Sequence, residues 1–467
     1  MKLNPRWNVA RLGLTAATAV FGSGGVAHAL PSFAGQTGQA CTACHVGAFG
    51  PQLTPLGRAF KIGGYTQGGG EGLEAQIPLS VMVQSSFTNT RSAVADGTQT
   101  HHYATNNNPS LDQISVFLAG RVTEHTGGFM QFTWSDVPNA AGVTPVRVDN
   151  TDLRPYTTLL SVGDDIDLRL GTTINNNPTV QDPYNTTPAW GFPYISSLLA
   201  PTPAARPVLA GSFAGSSIGY TVYAWYDRKL YLEGGAYTTP GAWVLTRFGD
   251  SLGPGAIIGG APYARAAYEW QWNQQAAHVG ALFMNADVNP AVPNSKGIAF
   301  GSSGAAGQDR YTDYGVDAGY QFLGDGQHRM TAQAIYIHED QQLNASAAGT
   351  GRGATYKLDQ VNANVSYWYQ STYGATLGWT KTWGSANALK FGTVSANGKP
   401  NSNAFIIEAD WVPFGKEDSW LHPLANLKLG LQYTAYTQFN GAASNYDGAG
   451  RNASDNNTLL LFGWLMF

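Results

Sequence analysis

From Ile77 to Phe467, apolar and polar residues alternate with a period of two, the pattern of strands with one apolar and one polar face. The clearest stretch is YTDYGVDAGYQF at 311–322. Thr312, Tyr314, Val316, Ala318, Tyr320 and Phe322 share one face; Tyr311, Asp313, Gly315, Asp317, Gly319 and Gln321 share the other. Gly324-Asp325-Gly326 then supplies turn chemistry, and the chain returns as a second strand to about Glu339. The same alternation sets Val361, Ala363, Val365, Tyr367 and Tyr369 against Asn362, Asn364, Ser366, Trp368 and Gln370, before Ser371-Thr372 turns the chain back. A third instance sets Leu427, Leu429, Leu431, Tyr433 and Ala435 against Lys428, Gly430, Gln432, Thr434 and Tyr436.

Repeating this reading gives about sixteen strands, near residues 79, 113, 128, 153, 165, 217, 229, 262, 276, 310, 328, 356, 373, 403, 426 and 457. Tight turns near 126, 162, 228, 274, 325 and 371, with a moderately longer one at 413–425, alternate with long polar loops, of which 174–216 is the longest. An even-stranded antiparallel transmembrane β-barrel produces this alternation of short turns and long loops. The chain closes on TLLLFGWLMF, with Leu459, Leu461, Leu465 and Phe467 in one parity, as outer-membrane barrels do. A soluble all-β sandwich is the competing arrangement, but it gives no reason for every second loop to be long.

Composition sharpens this picture. No segment carries eighteen consecutive apolar residues, which excludes a helical span. Only 12% of residues are charged, against roughly 25% in an ordinary soluble domain, while glycine, tyrosine and tryptophan are plentiful. Lys2, Arg6 and Arg11, the apolar stretch Leu12–Val26 and the small-x-small site Ala27-His28-Ala29 read as a secretory signal peptide over 1–29. Its removal leaves 23 basic and 30 acidic residues, net −7. A mildly acidic chain without basic stripes excludes a nucleic-acid partner.

Candidate chemistry sits between the signal peptide and the first strand. CTACH at 41–45 is Cys-x-x-Cys-His, the attachment sequence of a c-type haem. Cys41 and Cys44 would form thioethers to the porphyrin, and His45 would be the proximal iron ligand. A thioredoxin-type disulfide lacks its βαβ context, and a zinc site lacks further cysteines to complete four ligands. The glycine-rich segment 30–76 is too small to bury a haem alone. It also contains no methionine and no histidine except His45. The second axial ligand is therefore a barrel residue, Lys61, Tyr65 or the new N-terminus, or the sixth position is open. That choice sets the redox potential. A sixteen-stranded barrel leaves a wide lumen, so this segment is expected to enter it as a plug.

At this point the residues are similar to a known family. PSFAGQTGQACTACH at 31–45 and QLTPLGRAFKIGGY at 52–65, ahead of a barrel, resemble the fused cytochrome–porins of the bacterial outer membrane, whose best-known members oxidise extracellular ferrous iron. The likeness covers the whole layout but is specific only in 31–65. Phe33, Ala34, Gln36, Thr37 and Gly38 match the family pattern, as do Leu53, Thr54, Pro55, Gly57, Arg58, Phe60, Lys61, Gly64 and Tyr65. Gly35 replaces an arginine, Gln52 replaces a glutamate, and Val46–Gly50 is about two residues longer. These departures are expected to remove an ion pair beside the haem.

The resemblance implies an outer-membrane electron conduit, acting as an Fe(II):cytochrome c oxidoreductase. One haem c would accept electrons from extracellular Fe(II) and pass them to a periplasmic c-type cytochrome. The apolar band of such barrels is ~25 Å tall, larger than one porphyrin, so the periplasmic carrier must approach the plug. Oxygen and imidazole groups in the long loops are the candidate encounter residues: Asp96, His101 and His102 in the first, Asp182 in the third. The third loop, with Pro188, Trp190, Phe192 and Tyr194, either covers the haem or lies outside. Two other functions stay open: a conduit for another extracellular donor, and a solute porin whose haem plug is structural or a gate.

Overall fold

The computed structural model describes residues 30–72, 76–94, 102–138, 144, 146–162, 166–247, 254–294, 297–300 and 307–467; the signal-peptide segment 1–29 lies outside them. Sixteen strands form the wall. They are β1 Leu79–Thr90, β2 Asn108–Arg121, β3 Gly127–Trp134, β4 Arg147–Val162, β5 Ile166–Asn175, β6 Ile218–Tyr226, β7 Leu230–Thr238 and β8 Ala261–Trp272. The second half comprises β9 Gln275–Asn294, β10 Asp309–Phe322, β11 His328–Leu343, β12 Thr355–Tyr369, β13 Tyr373–Gly384, β14 Ser402–Trp411, β15 Asn426–Gln438 and β16 Thr458–Met466. Each pairs antiparallel with its sequence neighbour, and β16 pairs with β1 from Met82–Met466 to Thr90–Thr458. That last pairing closes the sheet into a barrel and removes its edges. Two short strands, Gly255–Ile257 and Gly297–Phe300, pair with the long end of β9.

Turn chemistry at one end follows the sequence. Asp227-Arg228 and Gln370-Ser371 both take positive φ at two successive residues, the signature of a type I′ hairpin. The second turn falls one residue earlier than the pattern suggested. A larger difference lies at Arg147–Asn150, which the alternation leaves in a loop. It belongs to β4, pairing Phe132 with Val148 and Thr133 with Arg147. These residues carry no apolar alternation to mark them as a strand.

The two faces of the wall divide as the alternation predicts. On β10, Tyr314, Val316 and Phe322 are exposed, while Asp313, Asp317 and Gln321 are buried inside. On β15, Leu429, Leu431 and Tyr433 point out, and Lys428, Gly430 and Gln432 point in. An apolar exterior over a polar interior is stable only where lipid, not water, surrounds the barrel. Exposed Trp270, Trp272, Phe322, Tyr369, Tyr373 and Trp411 ring the end that carries the short turns, forming one aromatic girdle. Among the described residues no helix is long and apolar enough to cross a membrane, so the strands do the crossing.

The lumen is filled. The N-terminal segment folds into three short helices, α1 Pro31–Thr37, α2 Cys41–Cys44 and α3 Pro55–Ile62. Proline opens α1 and α3 at the helix start, where its missing N–H costs nothing. Gly38 closes α1 in the left-handed conformation (φ 68°), and the Thr54 hydroxyl caps α3 by accepting from the Gly57 amide. None of these helices is long enough to persist alone. Phe33, Phe60 and Tyr65 pack on one another, and the rest of the helices' apolar burial comes from the wall and the third long loop. Phe60 and Tyr65 pack with Met82, Phe117, Phe129 and Val180; Ile62 packs with Tyr184, Tyr223, Trp225 and Tyr231; Val46, Ala48 and Phe49 pack with Trp368 and Val412.

Candidate functional site

The Cys-x-x-Cys-His turn is built by close backbone packing. The His45 amide donates to the Cys41 carbonyl at 2.8 Å, which closes α2. Beyond it the chain doubles back: His45 bridges Leu53, Val46 donates to Gln52 O at 2.9 Å, and Thr54 donates to Cys44 O at 2.9 Å. Helix α3 thereby lies directly on the turn. A Cβ at Gly57 would sit 2.4 Å from the Cys44 carbonyl, so only glycine permits this approach. The wall holds the turn from the other side. Arg329 of β11 donates to Thr42 O at 2.9 Å and reaches Val46 O and His45 O, while Asn426 of β15 donates to Ala48 O at 2.7 Å.

Cys41, Cys44 and His45 all face one cavity of about 640 Å³. Its walls come from the plug (Phe33, Phe60, Lys61, Tyr65), from β1–β4 and β16, and from the third loop (Pro188, Trp190, Tyr194). It extends from Met466 and Phe117, near the short-turn end, to Arg147 and Asp149, near the long-loop end. The two thiols form no disulfide. Burial beneath the wall pushes both up to about 11, so neither is a preformed thiolate. His45 Nδ1 is buried without a hydrogen bond of normal geometry. Burial lowers the His45 pKa; the Gly50 carbonyl beside the ring opposes this more weakly.

Around the cavity, charged pairs tie the plug and the third loop to the wall. Arg58 of α3 pairs with Glu269 and donates to Leu53 O and Gln321 Oε1 at 2.8 and 2.7 Å. The Tyr65 hydroxyl donates to Asp152 at 2.8 Å, and Asp152 also pairs with Arg154 at 2.8 Å. The Lys61 ammonium donates to Val180 O and Asn185 Oδ1 at 2.7 and 3.0 Å and lies 4.7 Å from the Trp190 ring. Burial holds Lys61 down at about 7, with Asp152 the main opposing influence. Asn185 in turn donates to Pro51 O at 2.8 Å, tying loop to plug.

The third loop folds inward, and Pro188, Trp190 and Tyr194 line the cavity; Phe192 is buried beside them, 5.4 Å from the Tyr194 ring. Asp182 does not belong to an external encounter site. It is 0% exposed and pairs with Arg265, which also pairs with Asp317. Folding the loop into the lumen turned this carboxylate into an internal tie. His102 is surface-exposed 3.4 Å from Asp136, away from the cavity lining; Asp96 and His101 lie outside the described residues. Among the described residues no three His, Cys, Asp or Glu side chains converge to hold a metal ion. Gln52 donates to Thr331 and Ser366 on the wall, whereas the Gly35 backbone packs against Gly70, so the two departing positions serve separate contacts. Sequence reasoning missed Asp112, Asp149, Met82 and Met466 as cavity residues. Inward parity was their only signal, and every strand shares it.

A larger depression of about 1120 Å³ lies on the outer face among Tyr156, Leu170, Val222 and Leu232. Those side chains face lipid, and acyl chains fill such space.

No protein-family model matches the chain, and no curated protein matches it in sequence. Solved structures similar in fold include OmpF of Salmonella typhi in complex with daunomycin, 12% identical with a TM-score of 0.45, covering 83% of this chain and 97% of that one. The outer membrane channel DcaP of Acinetobacter baumannii is 12% identical at 0.44, covering 83% and 96%. An anion-selective porin from Comamonas acidovorans is 11% identical at 0.43, covering 83% and 98%. The chain forms a porin-like barrel of the bacterial outer membrane. Its own strand closure and lipid-facing girdle carry that statement.

Proposed function

We propose that the protein is an outer-membrane electron conduit, oxidising extracellular ferrous iron through one c-type haem and delivering electrons to a periplasmic carrier. The observation that carries this reading is that Cys41, Cys44 and His45 line one cavity inside the barrel. Its volume lies within the range of about 300–1,000 Å³ usual for cofactor sites. Cys41 and Cys44 would hold the porphyrin as thioethers, and His45, whose imidazole is otherwise short of partners, would ligate the iron. Phe33, Phe60, Phe117, Phe129 and Trp190 supply apolar walls, while Lys61 and Arg147 supply positive charge for the propionates. When bound, haem supplies a one-electron Fe(III)/Fe(II) couple.

The remaining residues shield and separate. The plug, the third loop and the Arg58–Glu269 and Arg265–Asp182 pairs occupy the lumen and would keep bulk water from a bound haem. Asp112 and Asp149 place carboxylates on the cavity wall toward the long-loop side, where a divalent donor would arrive. The Asp112 Oδ2 atom is buried without a partner. Ferrous iron as donor follows from the likeness of 31–65 to the cytochrome–porins, and a soluble periplasmic c-type cytochrome is the matching acceptor by size and redox class.

The test is a spectrophotometric titration of purified, haem-loaded protein with Fe(II). Reduction of the haem, abolished in His45→Ala with the barrel still folded, is the expected result. Haem that stays oxidised in excess Fe(II) removes iron as the donor. The second reading, a solute porin with a structural or gating haem plug, is favoured by the porin-like wall itself. Porin-sized conductance of the haem-loaded protein in a planar bilayer would establish it instead.

A further inference from the structure

The plug holds no methionine and no histidine besides His45 to serve a bound haem as a second iron ligand, and the wall offers two candidates. Met82 on β1 and Met466 on β16 are directly opposed in the strand ladder, so their side chains project together into the lumen. Both line the cavity that holds Cys41, Cys44 and His45. Met82 is anomalous in its row. The other inward residues of β1 are Ser80, Gln84, Ser86, Thr88 and Thr90, all polar, and Met82 alone is apolar and 3% exposed. Met466 packs into the cluster that contains Cys41 as well as into the cluster around Met82, and so joins the attachment turn to the wall.

The competing ligands are engaged elsewhere. The Lys61 ammonium donates twice, to Val180 O and Asn185; the Tyr65 hydroxyl donates to Asp152; the Tyr194 hydroxyl is shared between Gln333 and Asn364. His45 is the one histidine among the described residues lining the cavity. The Met82 sulfur, by contrast, accepts only a long contact from Gln84 Nε2 at 3.6 Å, an interaction that would also orient the thioether.

We propose that a thioether from the Met82/Met466 pair of the barrel wall completes the haem iron opposite His45. This rests on the haem reading above and deepens it. A His/Met ligand set raises the reduction potential relative to two nitrogen ligands, which suits a centre that must draw electrons from a weak reductant. It also explains how a segment without a methionine of its own is completed: the wall supplies the ligand.

The test uses the full-length protein with the conservative variants Met82→Leu and Met466→Leu and their double variant, with barrel integrity followed by heat-modifiable migration and haem attachment by pyridine haemochrome. The parent should show the near-infrared methionine-to-iron charge-transfer band when oxidised and a strongly upfield-shifted methionine methyl resonance when reduced. One single variant, and the double variant, should lose both signals and lower the midpoint potential while keeping covalent haem. Histidine at that same position should give a bis-imidazole spectrum, which a packing role would not produce. Covalent haem without either methionine signal in the parent, or signals that survive in the double variant, would overturn the assignment while leaving the haem reading intact. Parent protein with unmodified Cys41 and Cys44 would overturn both.

Discussion

The wall and the plug of this molecule are stabilised by opposite means. The wall satisfies itself locally: β11 pairs with β12 residue by residue from His328–Tyr369 to Gln342–Thr355, and every neighbouring pair is antiparallel, with bulges interrupting four of them. The plug has helices of only seven, four and eight residues, and its strongest contacts reach hundreds of positions away, as from Gln52 to Thr331 and from Arg58 to Glu269. A backbone that meets its hydrogen bonds through adjacent strands can stand in lipid without the plug. A plug that keeps only a small aromatic cluster and a few hydrogen bonds of its own, and takes the rest of its contacts from the wall, cannot stand without it.

The largest test of that asymmetry is excision. Removing residues 30–72 should leave a heat-modifiable barrel while changing the lumen from closed to conducting; single-channel recordings of both forms check this. Loss of the barrel itself would erase the contrast. Next in size is the tie between plug and wall. Arg58→Met leaves Glu269 buried and unpaired, a change that typically costs about 3–5 kcal/mol. The loss should appear as faster proteolysis of the plug, with the barrel's heat-modifiable band unchanged. The complementary attack is on the wall. Leu377 is 63% exposed near the middle of β13, so Leu377→Arg should cost the barrel about 2–4 kcal/mol at the bilayer midplane. Urea unfolding in bilayers would measure it, and the plug's protease protection in the folded fraction should not change.

The smallest effect is a pH dependence. Burial holds Lys61 near 7, below its ordinary value of about 10.4. A lysine depressed in the folded state penalises folding most below pH 7, where the unfolded chain keeps a proton that the folded one resists. The penalty fades as pH rises toward the ordinary value. Lys61→Met therefore gains on the parent as pH falls from 9 to 6, measured by protease protection of the plug at both pH values. A pH-independent difference would mean that Val180 O and Asn185 solvate the ammonium fully.

Legibility followed the same division. Alternation on β10 and β15 named the outward residues correctly, because facing lipid is a one-residue property that each position displays by its own side chain. The longest loop was recognisable by length, and its aromatic residues by type, but not Asp182's role. A carboxylate meant for Arg265 looks, in sequence, like any solvated loop acid. Cys41, Cys44 and His45 stand out by spacing, since the attachment pattern occupies five consecutive residues; the fold adds that all three line one cavity. Met82 showed one local sign, an apolar residue in a row otherwise made of Ser80, Gln84, Ser86, Thr88 and Thr90, but that sign does not say what the side chain meets across the lumen.

The sequence by itself determined the period of the strands, the lipid-facing side of each, the closed antiparallel class and the place of the Cys-x-x-Cys-His turn. All are local patterns that the polypeptide carries wherever it goes. Tertiary structure alone decided that Glu269, Gln321 and Asp152 receive the plug, and that two methionines from the first and last strands share its cavity. Those partners are brought together only when the barrel closes, because closure is what makes the ends of the chain neighbours.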